Sequence, residues 1–474
     1  MSAPRRLPSG GRIDRDRPIP FSFNGRTMRG FRGDTLASAL LANGVTTVAR
    51  SFKYGRPRGI VGHGVEEPNA IVDVGVGVGT IPNLRATEVE LFAGLRARTS
   101  RAPWQGAVGP FARYLPAGFY YKMFLHARGF RTWERFLRAT AGLGGIPAGA
   151  DPDTYDHLNH HCDVLVVGAG PAGLAAALEA CRTGARVVVA DEQAELGGSL
   201  LAEQARIDGQ SARTWVAEAV AEVESCPDAL LLTRSTASGL YDHNFATVVE
   251  RRPPHAGTRE RLHRIRAEQV VLATGAIERP VVFANNDRPG VMLASSVYTY
   301  LHRYAVVPGE RLVLFTTNDH AYRTAIAWQE AGRKVVAVVD ARPEPSGARV
   351  REALGAGIEV IPGHAVIEAC GGRKVREAVV APLDGERDAL AGPARRLACD
   401  VIACSGGWNP TVHLGSQTGR KPVWNEDAVA FLPAVPGDGV VWAGSANRAR
   451  TQRERLQNGA AAGARFRNFP DPTE

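Results

Sequence analysis

Three glycines, Gly168, Gly170 and Gly173, stand in the spacing G-x-G-x-x-G, and that spacing has a chemical use. The first lets a chain turn tightly, the second lets backbone approach a pyrophosphate, and the third lets a helix pack close to a strand. Asp163 to Val167, a short valine-rich run, predicts a buried parallel strand ahead of them. Pro171 and the alanine- and leucine-rich stretch from Ala172 to Arg182 predict the helix whose first amides face the phosphate, with Gly184 ending it. A second strand, Arg186 to Ala190, delivers Asp191 where a carboxylate hydrogen-bonds ribose hydroxyls. Asp191 and Glu192 together repel a 2′-phosphate, which favours NAD or FAD over NADP. Gln193, Gly198 and Ser199, just beyond, complete the contacts expected from this stretch.

Other chemistry is thin. The six cysteines, Cys162, Cys181, Cys226, Cys370, Cys399 and Cys404, are dispersed and form no C-x-x-C. That argues against a disulfide framework or a structural zinc, and a reducing cytoplasm fits. Cys399 and Cys404 flank Val401 and Ile402 and read as small buried hydrophobes. His63 sits in a Gly-His-Gly loop, either facing solvent or touching a substrate or partner. No general base stands in a recognisable motif, and no residue signals covalent flavin attachment.

The elements that must position this chemistry fill 474 residues, enough for several domains. Net charge is +9, with only five lysines among 57 basic residues, and the arginines are scattered. Scattered charge speaks against nucleic acid and for an acidic partner subunit or an anionic cofactor. No apolar run reaches the roughly 18 residues a membrane span needs, and no secretory signal opens the sequence.

Residues 1–18 are polar and predict a mobile tail. From Ile19, two short strands flank Asn24-Gly25, a strong hairpin signal. A helix capped at Asp34-Thr35 follows, then strands such as Ala70 to Val74. This is a β-grasp order, expected over residues 19–95 and shared with plant-type ferredoxins, which hold [2Fe–2S] through cysteines. The corresponding loop, Lys53 to Pro68, has none, so no iron–sulfur cluster is expected. Residues 96–160 form a connector in which aromatics such as Tyr120, Tyr121 and Trp133 alternate with arginines, read as an interface arm. A dinucleotide-binding domain is expected over 161–285 and 405–468. A second unit of the same type, over 290–404, carries Thr316-Thr317-Asn318-Asp319-His320-Ala321-Tyr322 where its glycines belong. Side chains there hold backbone away from a pyrophosphate, so this half is read as empty of dinucleotide. Asn318, Asp319, His320 and Tyr322 either cap a helix or contact a flavin phosphate or a partner. The fold class is α/β: a β-grasp followed by two Rossmann-like doubly wound domains.

Several long stretches resemble the α subunit of heterotetrameric sarcosine oxidase: FSFNGRTMRGFRGDTLASALLANG, RSFKYGRPRGI, EEPNA, PNLRATEVEL, LPAGFYYK and the glycine stretch, in that order. ATGAIERP and NNDRPGVM are similar to the same family and to two-dinucleotide-domain flavoproteins at large. The resemblance implies that Thr274 and Gly275, and later Gly444 and Ala446, pass close to the cofactor. It implies NAD in the first site, FAD being the alternative occupant, and FMN at a subunit interface. Gly444-Ser445 replaces the Gly-Asp that FAD-binding relatives carry, which also points to NAD. The family's C-terminal folate-binding domain has no counterpart in the sequence, which puts folate use in question.

The function this implies is an NAD-binding subunit of a multi-subunit flavoprotein oxidising sarcosine or a related secondary amine, with the amine oxidised in a partner chain. A self-sufficient FAD-dependent reductase of the pyridine nucleotide-disulfide type is the alternative enzyme. A non-catalytic nucleotide-binding scaffold is the third reading.

Overall fold

A computed structural model describes residues 3–51, 54–100, 114, 144–145, 147–253, 256–434, 437 and 439–468. Most of the aromatic connector lies outside them. The chain divides into two compact units: residues 1–151 with 278–407, and residues 152–277 with 408–474. Each is described by itself.

The first unit does not begin with a free tail. Leu7 N–H donates to the Ala305 carbonyl at 2.8 Å, and the buried Arg6 guanidinium pairs with buried Asp34 at 2.6 Å. A fully desolvated pair, once made, is costly to break from one side, and it holds the segment down. The first strand accordingly starts five residues before the expected Ile19. Strands β1 (Asp14–Phe23) and β2 (Arg26–Arg32) pair antiparallel about Asn24-Gly25, both at positive φ. Helix α1 (Leu36–Ala42) carries a capping box between Thr35 and Ser38, and all seven of its residues are buried. With β3 (Ile71–Val74), β4 (Ile81–Arg85) and β5 (Arg96–Thr99), the sheet order is β2-β1-β5-β3-β4, and β1 runs parallel to β5. This is a β-grasp.

The second unit opens with β6 (Thr154–Val167), α2 (Pro171–Arg182), β7 (Val187–Ala190), α3 (Ala212–Glu224) and β8 (Ala229–Leu232). An antiparallel meander follows, β9 (Ser235–Tyr241) and β10 (Phe245–Arg251), which leads into β11 (Thr258–Leu272). Strands β8, β7, β6 and β11 lie side by side in parallel. Burial explains why: Val164, Leu165 and Val166 are fully shielded, as is Leu174 on α2. Each such aliphatic side chain contributes about 1.5–3 kcal/mol.

The chain then completes the first unit. Strands β12 (Val291–Leu293), β13 (Arg311–Thr316), β14 (Lys334–Asp340) and β15 (Val360–Pro362) alternate with helices α4 (Ala294–Tyr304), α5 (Tyr322–Glu330) and α6 (Ala348–Gly355). A three-stranded antiparallel sheet, β16 (His364–Cys370), β17 (Glu377–Pro382) and β18 (Arg395–Ala398), precedes β19 (Val401–Ser405). The parallel sheet has the order β12-β19-β13-β14-β15. The remaining stretch returns to the second unit as a hairpin, β20 (Val423–Asn425) with β21 (Ala430–Leu432), then β22 (Val440–Trp442) beside β11, and helix α7 (Gln452–Ala464). Helix α7 starts five residues before the expected Gln457, because Thr451 and Glu454 form a capping box there. No helix among the described residues is long and apolar enough to cross a membrane.

The cysteine-free loop of the β-grasp has its own organiser. Glu67 is buried, and its two carboxylate oxygens accept four backbone N–H bonds at 2.7–2.9 Å, from Val61, Gly62, Asn69 and Ala70. Glu66 accepts from the N–H groups of His63 and Gly64. His63 is partly buried, its side chain 30% exposed. Its Nδ1 lies 3.0 Å from Glu66 Oε1 and 3.1 Å from Ser296 Oγ.

Burial opposes the charge on His63, but the Glu66 carboxylate outweighs it and raises the imidazole above its ordinary 6.5. Burial likewise works against the Glu66 carboxylate, and the His63 charge and hydrogen bond overcome it, holding the group down to about 2. A raised histidine stabilises the fold fully below 6.5 and loses that contribution as pH rises through its folded value. A depressed glutamate contributes above 4.5 and loses its contribution as pH falls towards 2. The pair is therefore worth most between about 4.5 and 6.5. Thermal midpoints of the wild-type chain and His63→Ala, compared across pH, should differ most in that window and converge outside it.

Candidate dinucleotide site

The sequence-predicted glycines meet in the second unit, and each is needed for a separate reason. Gly168 follows β6 at φ +95, and a Cβ there would lie 2.5 Å from the Ala273 carbonyl oxygen. Gly173, on the first turn of α2, is tighter: a Cβ would lie 1.8 Å from the Gly168 oxygen. Strand, turn and helix are thus in backbone contact. Gly170 differs. It is the N-cap of α2, with Pro171 following, and a Cβ there would meet nothing within 4 Å. No side chain caps this helix among the described residues, and a Cβ at its N-cap would meet no atom within 4 Å. That is the requirement for a pyrophosphate, whose charge the helix N-terminus favours, and the residues present fit one.

Other crossings close round this turn. Gly197 N–H donates to the Ala169 carbonyl at 2.9 Å, and a Cβ on Gly198, ahead of Ser199, would lie 2.8 Å from Gly170 Cα. Ala273 N–H bonds to the Val167 carbonyl, and Thr274 Oγ1 donates to the Thr411 carbonyl at 2.7 Å, fixing the A-T-G passage. Gly444 lies against Ala172, where a Cβ would come within 2.6 Å of the alanine methyl, and Ala446 is fully buried.

Asp191 arrives beside the turn with a further task. Its Oδ2 accepts the Ala169 N–H at 2.7 Å and its Oδ1 accepts the Gln193 N–H at 2.8 Å. Only 8% of the residue is exposed. The carboxylate ties the end of β7 to the glycine turn. The backbones of Glu192 and Gln193 also serve as acceptors, for Arg251 and Arg234.

Sequence reading missed three contributors, all on α7. Asn458 Oδ1 accepts the Gly444 N–H at 2.9 Å and so holds the turn after β22. A Cβ at Gly459 would lie 2.1 Å from the Ala172 oxygen, and one at Gly463 would lie 2.2 Å from the Ala176 oxygen. Helix α7 therefore rides on α2 backbone to backbone. The two glycines, one helical turn apart in NGAAAGA, were the available signal.

The second α/β unit carries a polar cluster around Asp340. Tyr322 Oη donates to Asp340 Oδ2 at 2.7 Å, and Arg342 grips both Asp340 oxygens at 2.8–3.0 Å. Arg342 also pairs with Asp319, whose carboxylate lies against Gly347. Asn318 caps the turn through the Ala321 N–H and donates to Ser405 Oγ. Within this cluster Asn318 caps the turn, while Tyr322 and Asp319 are engaged by Asp340 and Arg342. Burial, with a neighbouring aspartate, pushes the Cys162 and Cys399 thiols up to about 12, and burial does the same to Cys404. These thiols are packing groups. No cluster of potential metal ligands occurs among the described residues.

Comparisons with known proteins agree with this geometry. Residues 163–275 match the FAD dependent oxidoreductase family, and residues 16–102 match the 2Fe-2S iron-sulfur cluster binding domain, although no cysteine lies in that stretch. A dinucleotide or flavin cofactor is thus the type this chain is built for. The chain is 45% identical to sarcosine oxidase subunit alpha of Rhizobium meliloti (strain 1021), over 96% of its own length and 46% of the relative's. It is 42% identical to the subunit of the same name from Corynebacterium sp. (strain P-1), over 97% of this chain and 45% of that one. Among solved structures, L-proline dehydrogenase from P. horikoshii superposes with a TM-score of 0.66 at 20% identity, covering 98% of this chain and 75% of that one. At that identity the likeness concerns the fold. The chain spans about half the length of the curated relatives it matches, and over that span it belongs to the sarcosine oxidase α subunit family.

Proposed function

We propose that this chain is the NAD-binding, α-type subunit of a multi-subunit flavoprotein that oxidises sarcosine or a related secondary amine, the amine being oxidised in a partner chain. The observation that carries the reading is the combination of an open, uncapped helix N-terminus at Gly170 with 45% identity to a sarcosine oxidase α subunit along nearly the whole chain. Bound NAD supplies a hydride acceptor. The chain's own residues do the binding: Gly168, Gly170, Pro171, Ala172 and Gly173 receive the pyrophosphate, and Asp191, with Glu192 and Gln193, faces the adenosine ribose. Gly198, Ser199, Thr274, Gly275, Gly444 and Ala446 keep the backbone close around it. Ser445, standing where FAD-binding relatives carry an aspartate, favours NAD over FAD. FMN belongs to the interface with the partner chain.

Mass spectrometry of the small molecules released when the purified chain is denatured tests this directly. NAD at close to one per chain is expected, together with no amine oxidation by the chain alone. Stoichiometric FAD that NADH reduces would instead support the self-sufficient reductase, against which the absence of C-x-x-C speaks. Bound NAD that never exchanges hydride during amine oxidation by the complex would support the scaffold reading.

A further inference from the structure

Helix α7 reaches further than its contact with α2. Gly459 packs against the Ala172 backbone and Gly463 against the Ala176 backbone, so the two helices run parallel at a constant offset. Seven residues make about two helical turns, so the position seven before Gly459 lies on the same face. That position is Gln452. Burial agrees with the phase: Gln452 is half-buried and the two glycines are buried, whereas Arg453, Glu454, Gln457 and Ala461 are exposed. Seven residues of helix span about 10 Å, and α2 starts at Pro171, one residue before the Ala172 contact. Gln452 therefore stands beyond the start of α2, at the end that no described side chain caps.

The Gln452 side chain has no task within the fold. Its Nε2 is shielded from solvent and has no hydrogen-bond acceptor among the described residues. Its neighbours are committed elsewhere. Thr451 Oγ1 accepts the Glu454 N–H at 3.2 Å, and Glu454 Oε2 accepts the N–H groups of Arg450 and Thr451. The capping box thus uses the residues on both sides of Gln452 and leaves its amide out. A buried NH₂ without an acceptor is destabilising, and folded proteins keep few of them. Beside a ligand site, such a donor marks where an acceptor arrives.

The sheet order says which acceptor. Strand β7, which delivers Asp191, lies on one side of β6. Strand β11 lies on the other, followed by β22, which leads into α7. Asp191 and Gln452 thus flank the glycine turn from opposite sides. A dinucleotide whose adenosine ribose lies at Asp191 and whose pyrophosphate lies at α2 has to send its other half towards α7. In NAD that half is the nicotinamide ribose and its carboxamide, whose hydroxyl and carbonyl oxygens accept hydrogen bonds.

We propose that the Gln452 amide is the donor that binds the nicotinamide-bearing half of the dinucleotide. This deepens the reading of the chain as an NAD-binding subunit and rests on it. The test is to titrate cofactor-free full-length wild type and Gln452→Leu with NAD, ADP-ribose and ADP, and to unfold both in denaturant without ligand. Gln452→Leu should bind NAD at least about fivefold more weakly and keep its ADP affinity within about twofold. Its denaturant midpoint should be unchanged or higher, because leucine removes an unmet polar group. A matching loss on ADP-ribose would assign the bond to the ribose, and no loss there would assign it to the carboxamide; both support the proposal. NAD binding equal to wild type would overturn it, and so would an equal loss on ADP. A lowered midpoint alongside the lost affinity would make Gln452 a packing residue and overturn it too. A wild-type chain that binds neither NAD nor ADP would remove the dinucleotide reading itself, whatever the variant does.

Discussion

Gly170→Ala should leave the fold standing and empty the cofactor site, whereas Gly173→Ala should damage the fold itself. Both lie in one motif, and sequence treats them alike. The structure separates them. A methyl at Gly173 would sit 1.8 Å from the Gly168 carbonyl oxygen, which is backbone and cannot rotate away. The turn must open, at a cost of about 3 kcal/mol or more. A methyl at Gly170 meets no protein atom within 4 Å, so on the proposed reading it intrudes only on a bound pyrophosphate. Its effect on the cofactor-free chain should stay within about 0.5 kcal/mol, as for an ordinary surface change. Its effect on dinucleotide affinity should exceed about tenfold, or 1.4 kcal/mol. Denaturant titration of the cofactor-free chains and titration with NAD measure the two quantities. A Gly170→Ala chain that binds like wild type would remove the pyrophosphate from this turn.

Glu67→Gln should be nearly as damaging as Glu67→Ala, although it keeps the shape. The carboxylate accepts two N–H bonds on each oxygen. In glutamine one of those oxygens becomes an NH₂, which turns donors towards donors from either Val61 and Gly62 or Asn69 and Ala70. Two buried N–H groups are then left without acceptors, at about 1–3 kcal/mol each. A loss of roughly 2–6 kcal/mol is expected for Gln. Hydrogen exchange should show the amides of residues 61, 62, 69 and 70 losing protection first. If Glu67→Gln unfolds at the wild-type denaturant midpoint, the loop is held by something else.

These two cases also mark what the sequence could tell. Gly168, Gly170 and Gly173 were legible because steric demands on a glycine are local and leave a spacing. Asp191 was legible as an acid at the end of a strand, but its bonds to Ala169 and Gln193 were not, because an acid that binds ribose and one that braces backbone look the same. Glu67 was not legible at all, since its partners are main-chain amides with no residue identity. The tail was misjudged because a single buried pair, Arg6 with Asp34, joins residues too far apart for any local pattern. Helix α7 was placed late because the exposed charges of its first turns hid the capping box at Thr451. The second α/β unit was read correctly as lacking the glycines. The cluster there, Tyr322 and Arg342 on Asp340, needed coordinates.

The contact of Gly459 and Gly463 with α2 sets an order of events during synthesis. The glycine turn is made by residue 173, but the helix that completes its packing ends at Ala464, with the whole 278–407 segment emerging in between. A nascent chain that has reached residue 440 still lacks Asn458 and both glycines of α7. Non-local contacts of this kind form late. The backbone packing around the glycine turn is therefore completed only after α7 has emerged, long after the turn itself is made.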